Sequence, residues 1–138
     1  MAGRCVVLDA TAVSALAGPP SRQGRLVLKC VAGALADGSD VLIPAAVLAE
    51  CYRGGRYDQQ TDAMLSRYKA FTIVSTTHEL ARLVGHILAR AGRGSADHVD
   101  ATVVATAILA GRAVIATGDP DDVGALAAGL KTVTVAAI

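Results

Sequence analysis

The chain has 138 residues, 53% of them hydrophobic and 18% charged, with a formal net charge of +1. That balance excludes a disordered chain and a strongly basic nucleic-acid coat. Three cysteines, with neither a CxxC pair nor a Cys/His spacing, argue against a disulfide-stapled secreted scaffold or a zinc module, and 3% aromatics with no Trp argue against an RNA-recognition sheet of stacked rings.

Strand-length apolar runs alternate with segments of helical period. Cys5-Val6-Val7-Leu8 reads as a buried strand ending at Asp9, and Thr11 to Leu16 as a short helix stopped by Gly18-Pro19-Pro20. Arg22 to Ala36 carries Leu26, Leu28, Val31 and Leu35 near helical spacing; Asp37 to Asp40 is a turn, and Val41-Leu42-Ile43 a second strand. Ala45 to Arg53 reads as a helix broken at Gly54-Gly55, Asp58 to Lys69 as another with Met64, Leu65 and Tyr68 on one face, and Phe71 to Val74 as a third strand. Thr76-Thr77-His78-Glu79 predicts a capping box, with Thr76 at the N-cap and Glu79 at N3, opening a helix that runs to Arg90. Val99 to Leu109 is the clearest helix, followed by a strand at Ala113 to Ala116, a polar turn at Asp119 to Asp122, a short helix through Leu130, and a last strand at Thr132 to Val135.

This alternation predicts one α/β domain over residues 1–138 around a largely parallel sheet of about five strands, covered on both faces. Asp9 interrupts the N-terminal apolar stretch, and Arg112 ends the Ala101–Gly111 segment well short of a bilayer span. The expectation is therefore a cytoplasmic protein.

Ligands in such folds sit beyond the carboxyl ends of the strands. Asp9 directly follows strand one, Asp119 follows strand four and Thr117-Gly118, Asp100 lies in the first turn of the 99–109 helix, and Glu50 lies in the helix after strand two. Carboxylates gathered in one cleft repel one another, and a hard divalent cation resolves the repulsion. An acid-lined, His-poor site favours phosphoryl chemistry over zinc hydrolysis. Each acid also has a local reading. Asp9 suits an N-cap, Glu50 a solvent-facing position, and Asp100 a favourable place in the helix dipole. Asp97 is read first as an N-cap and Asp121 as plain surface; Asp122 either caps the last helix or orients a ligand. Cys5 and Cys30 read as core thiols. Cys51, His78, His86 and His98 lack partners at catalytic spacing. Arg53, Arg56, Arg90 and Arg93 flank the acidic segments, either as solvated charge or as a phosphate-gripping rim.

The order of these blocks resembles that of PIN domains. Val6-Val7-Leu8-Asp9-Ala10-Thr11-Ala12 is similar to the family's opening strand, and Ile43-Pro44 to Glu50 to its Pro-started helix carrying Glu. Val99-Asp100 to Ala107 resembles its Ala-rich helix opened by Asp, and Val114 to Asp122 its strand leading to Thr-x-Asp. Length and spacing are similar to the VapC group of toxin ribonucleases. The resemblance implies a three-layer α/β/α sandwich and Mg²⁺- or Mn²⁺-dependent endoribonuclease activity, with Asp9, Glu50, Asp100 and Asp119 as catalytic, metal-holding acids. It also implies a supporting hydroxyl at Thr11, a homodimer, and silencing by a VapB-type antitoxin. Thr117, Asp97 and Asp122 are additional candidates for supporting roles. Gly118 departs from the basic residue or Asn that many relatives carry there.

Two other enzyme or signalling classes compete. Asp9-Ala10-Thr11 nearly meets the start of a haloacid-dehalogenase-like phosphatase, but Thr11 stands where that chemistry needs a general-acid Asp. A receiver-type signalling domain needs an acid after strand three, and Val74-Ser75-Thr76 supplies none. A catalytically inactive PIN binding module is the third alternative, disfavoured by the presence of all four acids.

Overall fold

In the computed structural model, which describes residues 3–138, a five-stranded sheet has the order β3-β2-β1-β4-β5 with every neighbouring pair parallel. The strands are β1 (Cys5–Leu8), β2 (Val41–Pro44), β3 (Phe71–Val74), β4 (Ala113–Thr117) and β5 (Val133–Ala137). The chain begins in the middle, steps outward to β2 and β3, then returns past β1 to β4 and β5. Parallel crossovers are right-handed. The two directions of travel therefore place α1 (Ala10–Ala17), α2 (Arg22–Ala36), α3 (Ala45–Cys51) and α4 (Gly55–Arg67) on one face. They place α5 (His78–Ala91), α6 (His98–Leu109) and α7 (Pro120–Leu126) on the other. The result is the expected three-layer α/β/α sandwich. The direction of winding reverses between β1 and β4, which opens a crevice at their carboxyl ends.

The core follows from the apolar runs. Val6, Val7 and Leu8 are all buried because β1 is central and covered on both faces, whereas β3 and β5 at the edges are only partly buried. Helix α6 packs on β1, β2 and β4, and its run Ala101–Ala107 is buried at every position. The Thr102 and Thr106 hydroxyls, buried within it, donate to the carbonyls of His98 and Thr102, both at 2.8 Å, so the helix carries no orphaned hydroxyl into the core.

Several local expectations are corrected. The capping residue of α5 is Thr77, whose hydroxyl accepts the Leu80 N–H at 3.1 Å; Thr76 lies outside, and Glu79 falls in the first turn one position short of N3. Helix α3 ends at Cys51, and α4 begins at Gly55, earlier than Asp58. Gly54 and Gly55 both have positive φ (83° and 54°), which lets the chain turn so tightly, and the Asp58 carboxylate accepts the Gly54 N–H at 2.9 Å. Helix α2 buries Gly24, Val27, Val31 and Ala34, leaving Leu28 and Leu35 exposed. The segment after Asp119 is helical from Pro120, because proline at N1 needs no N–H, and that helix stops at Leu126. The last strand runs to Ala137. Cys5 and Cys30 are only half-buried; Cys51 is the buried thiol.

Candidate active site

Asp9 sits where β1 becomes α1, at the reversal of winding. As the N-cap of α1 it accepts the Ala12 N–H on Oδ1 at 2.8 Å, and its other oxygen accepts the Gly118 N–H at 3.2 Å from the loop after β4. The capping and cleft roles are thus one arrangement. The residue is 3% exposed. Burial raises its pKa above the usual 3.8, opposed by Thr117 and the two N–H groups and reinforced by the nearby charge of Asp119.

Thr117, fully buried at the end of β4, accepts the Asp119 N–H on its hydroxyl at 2.9 Å. Between them, Gly118 lies against Thr11. A Cβ added at Gly118 would come within 2.5 Å of Thr11 Cγ2 and 2.8 Å of its Oγ1. The Thr11 side chain fills the space that any larger residue at 118 would need, which accounts for the glycine in physical terms.

Asp100 is the third residue of α6 and faces the same crevice. Its pKa is pushed up to about 6 by burial first, then by the negative charges of Asp119, Asp9, Asp122 and Glu50. The carboxylate oxygens of Asp100, Asp119 and Asp122 lie within 4.8 Å of one another. Glu50, near the end of α3, is solvent-exposed and joins the group through its field on Asp100; Asp9 flanks the trio from its buried position. The structure gathers Asp100 and Asp119 with Asp122, sets buried Asp9 beside them through the hydrogen bond it accepts from Gly118, and leaves Glu50 exposed on α3 with the smallest influence on Asp100. The signal for Asp122 lay in Pro120, because a helix beginning there turns Asp122 back toward α6; Asp121 and Asp122 are both exposed, and Asp122 is the one that joins the trio.

The remaining candidates are distributed around this centre. Arg93 lies 3.2 Å from Asp122 and 3.6 Å from Asp97, so Asp97 is an ion-pair partner and makes no side-chain cap to α6. Arg90 donates to the carbonyls of Leu126 and Ala128 at 3.1 and 3.0 Å, closing the C-terminal end of α7. Arg53 is exposed and donates to the Glu50 carbonyl at 2.9 Å. Arg56 stands 5.1 Å above the Tyr57 ring. His78, His86 and His98 are all exposed. Cys51 lies 3.8 Å from the Ala10 carbonyl and 3.7 Å from the Ser14 hydroxyl, and burial raises its thiol pKa, which suits packing rather than nucleophilic attack.

Comparison with known proteins bears on the fold and the family. The structure described as VapBC2 from Rickettsia felis bound to a DNA fragment from their promoter contains a chain that is 13% identical to this one. It superposes with a TM-score of 0.65 over 97% of this chain and 98% of that one. A chain in the structure of FitAcB from Neisseria gonorrhoeae is 21% identical, with a TM-score of 0.65 over 94% and 95% of the two chains. No curated protein matches. At these identities the structural likeness speaks for the fold. The PIN domain family model matches residues 6–127, and the chain belongs to the PIN domain family.

Proposed function

We propose that residues 1–138 form a single PIN-like domain acting as a divalent-metal-dependent endoribonuclease, the toxin of a type II toxin–antitoxin pair. One observation carries this reading: the charges of Asp9, Glu50, Asp119 and Asp122 all bear on Asp100 at the switch point of the sheet. The donor set is made of carboxylate oxygens, the trio's oxygens are close enough to share one ion, and the pKa of Asp100 is raised first by burial and then by its acidic neighbours. Asp100, Asp119 and Asp122, with Asp9 and Glu50 beside them, would hold Mg²⁺ or Mn²⁺. When bound, such an ion supplies polarisation of a phosphoryl oxygen and a more acidic water. The protein's own part is positioning. Ala12 and Gly118 orient Asp9, Thr117 orients the backbone of Asp119, and Thr11 packs the loop between them. Arg53 and Arg56 are the rim cations available to phosphates, since Arg90 and Arg93 are engaged within the protein.

The structural relatives described as VapBC2 and FitAcB support a VapB-type antitoxin as partner. A homodimer and a cytoplasmic location complete the proposal; among the described residues no helix is long and apolar enough to cross a membrane. The phosphatase alternative is disfavoured because Thr11 is spent against Gly118 and offers no acidic proton.

The test sets the purified chain against a structured RNA and a small phosphomonoester, each with Mg²⁺, with Mn²⁺ and with EDTA. RNA cleavage that EDTA abolishes supports the proposal. Phosphate release with RNA left intact turns it toward the phosphatase, and metal binding with neither reaction turns it toward an inactive binding module.

A further inference from the structure

Beside the acid cleft lies a second concavity of about 310 Å³, at the low end of the range for small-ligand pockets, walled by α1, α3 and α4. Ser14 and Cys51 line one side of it, and they sit on the helix that Asp9 caps and the helix that carries Glu50. Ser14 is five residues beyond Asp9, roughly 7 Å along α1, and Cys51 directly follows Glu50. Arg56, Tyr57, Gln60 and the buried Thr61 of α4 line the other side. Among the described residues no carboxylate lines the pocket, and Arg56 is the one charged group that does, a marked contrast with the anionic cleft next to it.

The aromatic residues add a second argument. The chain has three Tyr and one Phe. Tyr52 donates its hydroxyl to Asp62 at 2.6 Å, and Tyr68 and Phe71 stack on each other with centroids 4.8 Å apart. Tyr57 makes no such commitment to the core. It is 47% exposed, and among the described residues its ring is paired only with the Arg56 guanidinium, which also donates to its hydroxyl at 3.2 Å. A flat ring and a flat cation presented together at the mouth of a pocket form a platform on which a nucleobase stacks, with the cation near the adjoining phosphate. Gln60 adds an amide that can both donate to and accept from a base edge.

We propose that this pocket is a nucleobase subsite: one unpaired base of a single-stranded RNA stacks on the Tyr57–Arg56 pair, with Gln60 at its edge, while the chain continues into the acid cleft. The proposal rests on the ribonuclease reading and adds to it a base-stacking position outside the acid cleft.

Binding is measured without cleavage, by fluorescence anisotropy of a labelled single-stranded RNA oligonucleotide in EDTA, for wild type, Tyr57→Ala and Tyr57→Phe. Thermal melts confirm that the variants fold. Tyr57→Ala should weaken binding about tenfold, and Tyr57→Phe, which keeps the ring, should stay within about twofold of wild type. Because the chain contains no Trp, tyrosine emission should also be quenched by RNA in wild type and less so in Tyr57→Phe. Equal affinities for wild type and Tyr57→Ala overturn the subsite. If wild type still cuts RNA in that case, the nuclease reading stands without it. A wild type that neither binds nor cuts RNA overturns both.

Discussion

The two sides of the acid cleft are built differently. On the β1–α1 side, Asp9 is buried and both its oxygens are committed to backbone N–H groups from two separate segments. On the α6–α7 side, Asp100, Asp119 and Asp122 crowd together without such donors, and among the described residues Asp122 is paired only with the half-buried Arg93. One side is fixed by the fold itself. The other is a collection of like charges that the fold tolerates and a cation would relieve. Electrostatic strain is thus concentrated on the side where few local hydrogen bonds depend on it, so an ion can bind or leave without dismantling the switch point.

The sharpest way to break this contrast is Asp9→Asn. The asparagine retains one acceptor oxygen and substitutes an amide nitrogen for the other, so either Ala12 or Gly118 loses its acceptor. Cleavage should fall on the order of a hundredfold or more. Stability should fall by about 1–2 kcal/mol, leaving a folded protein in a thermal melt. Full activity in a folded Asp9→Asn protein removes the buried carboxylate from the mechanism.

Next in size is Gly118→Ala. The added methyl has no room beside Thr11, so the loop carrying Asp119 must shift, at about 1–3 kcal/mol. The control is Gly85→Ala in α5, where no atom lies within 4 Å of the new methyl. That change should stabilise the protein by about 0.5–1 kcal/mol, since alanine is the better helix former. Chemical denaturation of both variants measures opposite signs for the same substitution. Mn²⁺ affinity by calorimetry should drop in Gly118→Ala alone. Equal behaviour would mean that the Thr11–Gly118 contact does not position Asp119.

Much of this frame was legible in the residues. The β1 and β4 runs are apolar and short enough to be strands only, and an acid closing each run has nowhere to lie except the carboxyl edge of the sheet. The Ala- and Val-rich segment after Asp100 could only be a buried helix. The misplaced details share a cause, namely more than one local solution. Thr76 and Thr77 are equally good caps, and the packing of Leu80 against the core selects the second. In α2 the apolar residues fit two overlapping stripes, and close approach at Gly24 selects the one through Val27 and Val31. Asp122 was ambiguous because Asp-Pro-Asp-Asp is equally a turn or a helix start. Only the helix places its carboxylate with Asp100 and Asp119. The engagement of Arg90 and Arg93 depends on contacts between distant segments, which residue spacing does not reveal.

The finest probe of the contrast is pH. A carboxyl group with a raised folded pKa binds more protons in the native state than in the unfolded one, so its contribution to stability declines as pH rises between the two values. For Asp100 that window runs from its ordinary 3.8 to about 6, and the upward shift of Asp9 acts in the same direction. Metal-free protein should therefore lose about 1–2 kcal/mol from Asp100 across this window, a few degrees in the melting temperature, after allowance for its partial exposure. Asp100→Asn should flatten that part of the profile while leaving the share due to Asp9. Saturating Mn²⁺ should reverse the trend, because the ion binds the ionised carboxylates and its stabilisation, about 2.7 kcal/mol at a hundred times Kd, grows as pH passes 6. Melting curves from pH 4 to 8, with Mn²⁺ and with EDTA, test both statements. A wild-type profile that matches Asp100→Asn in EDTA would show that the crowded side of the cleft carries no stored repulsion, and with it would go the physical reason for expecting an ion there.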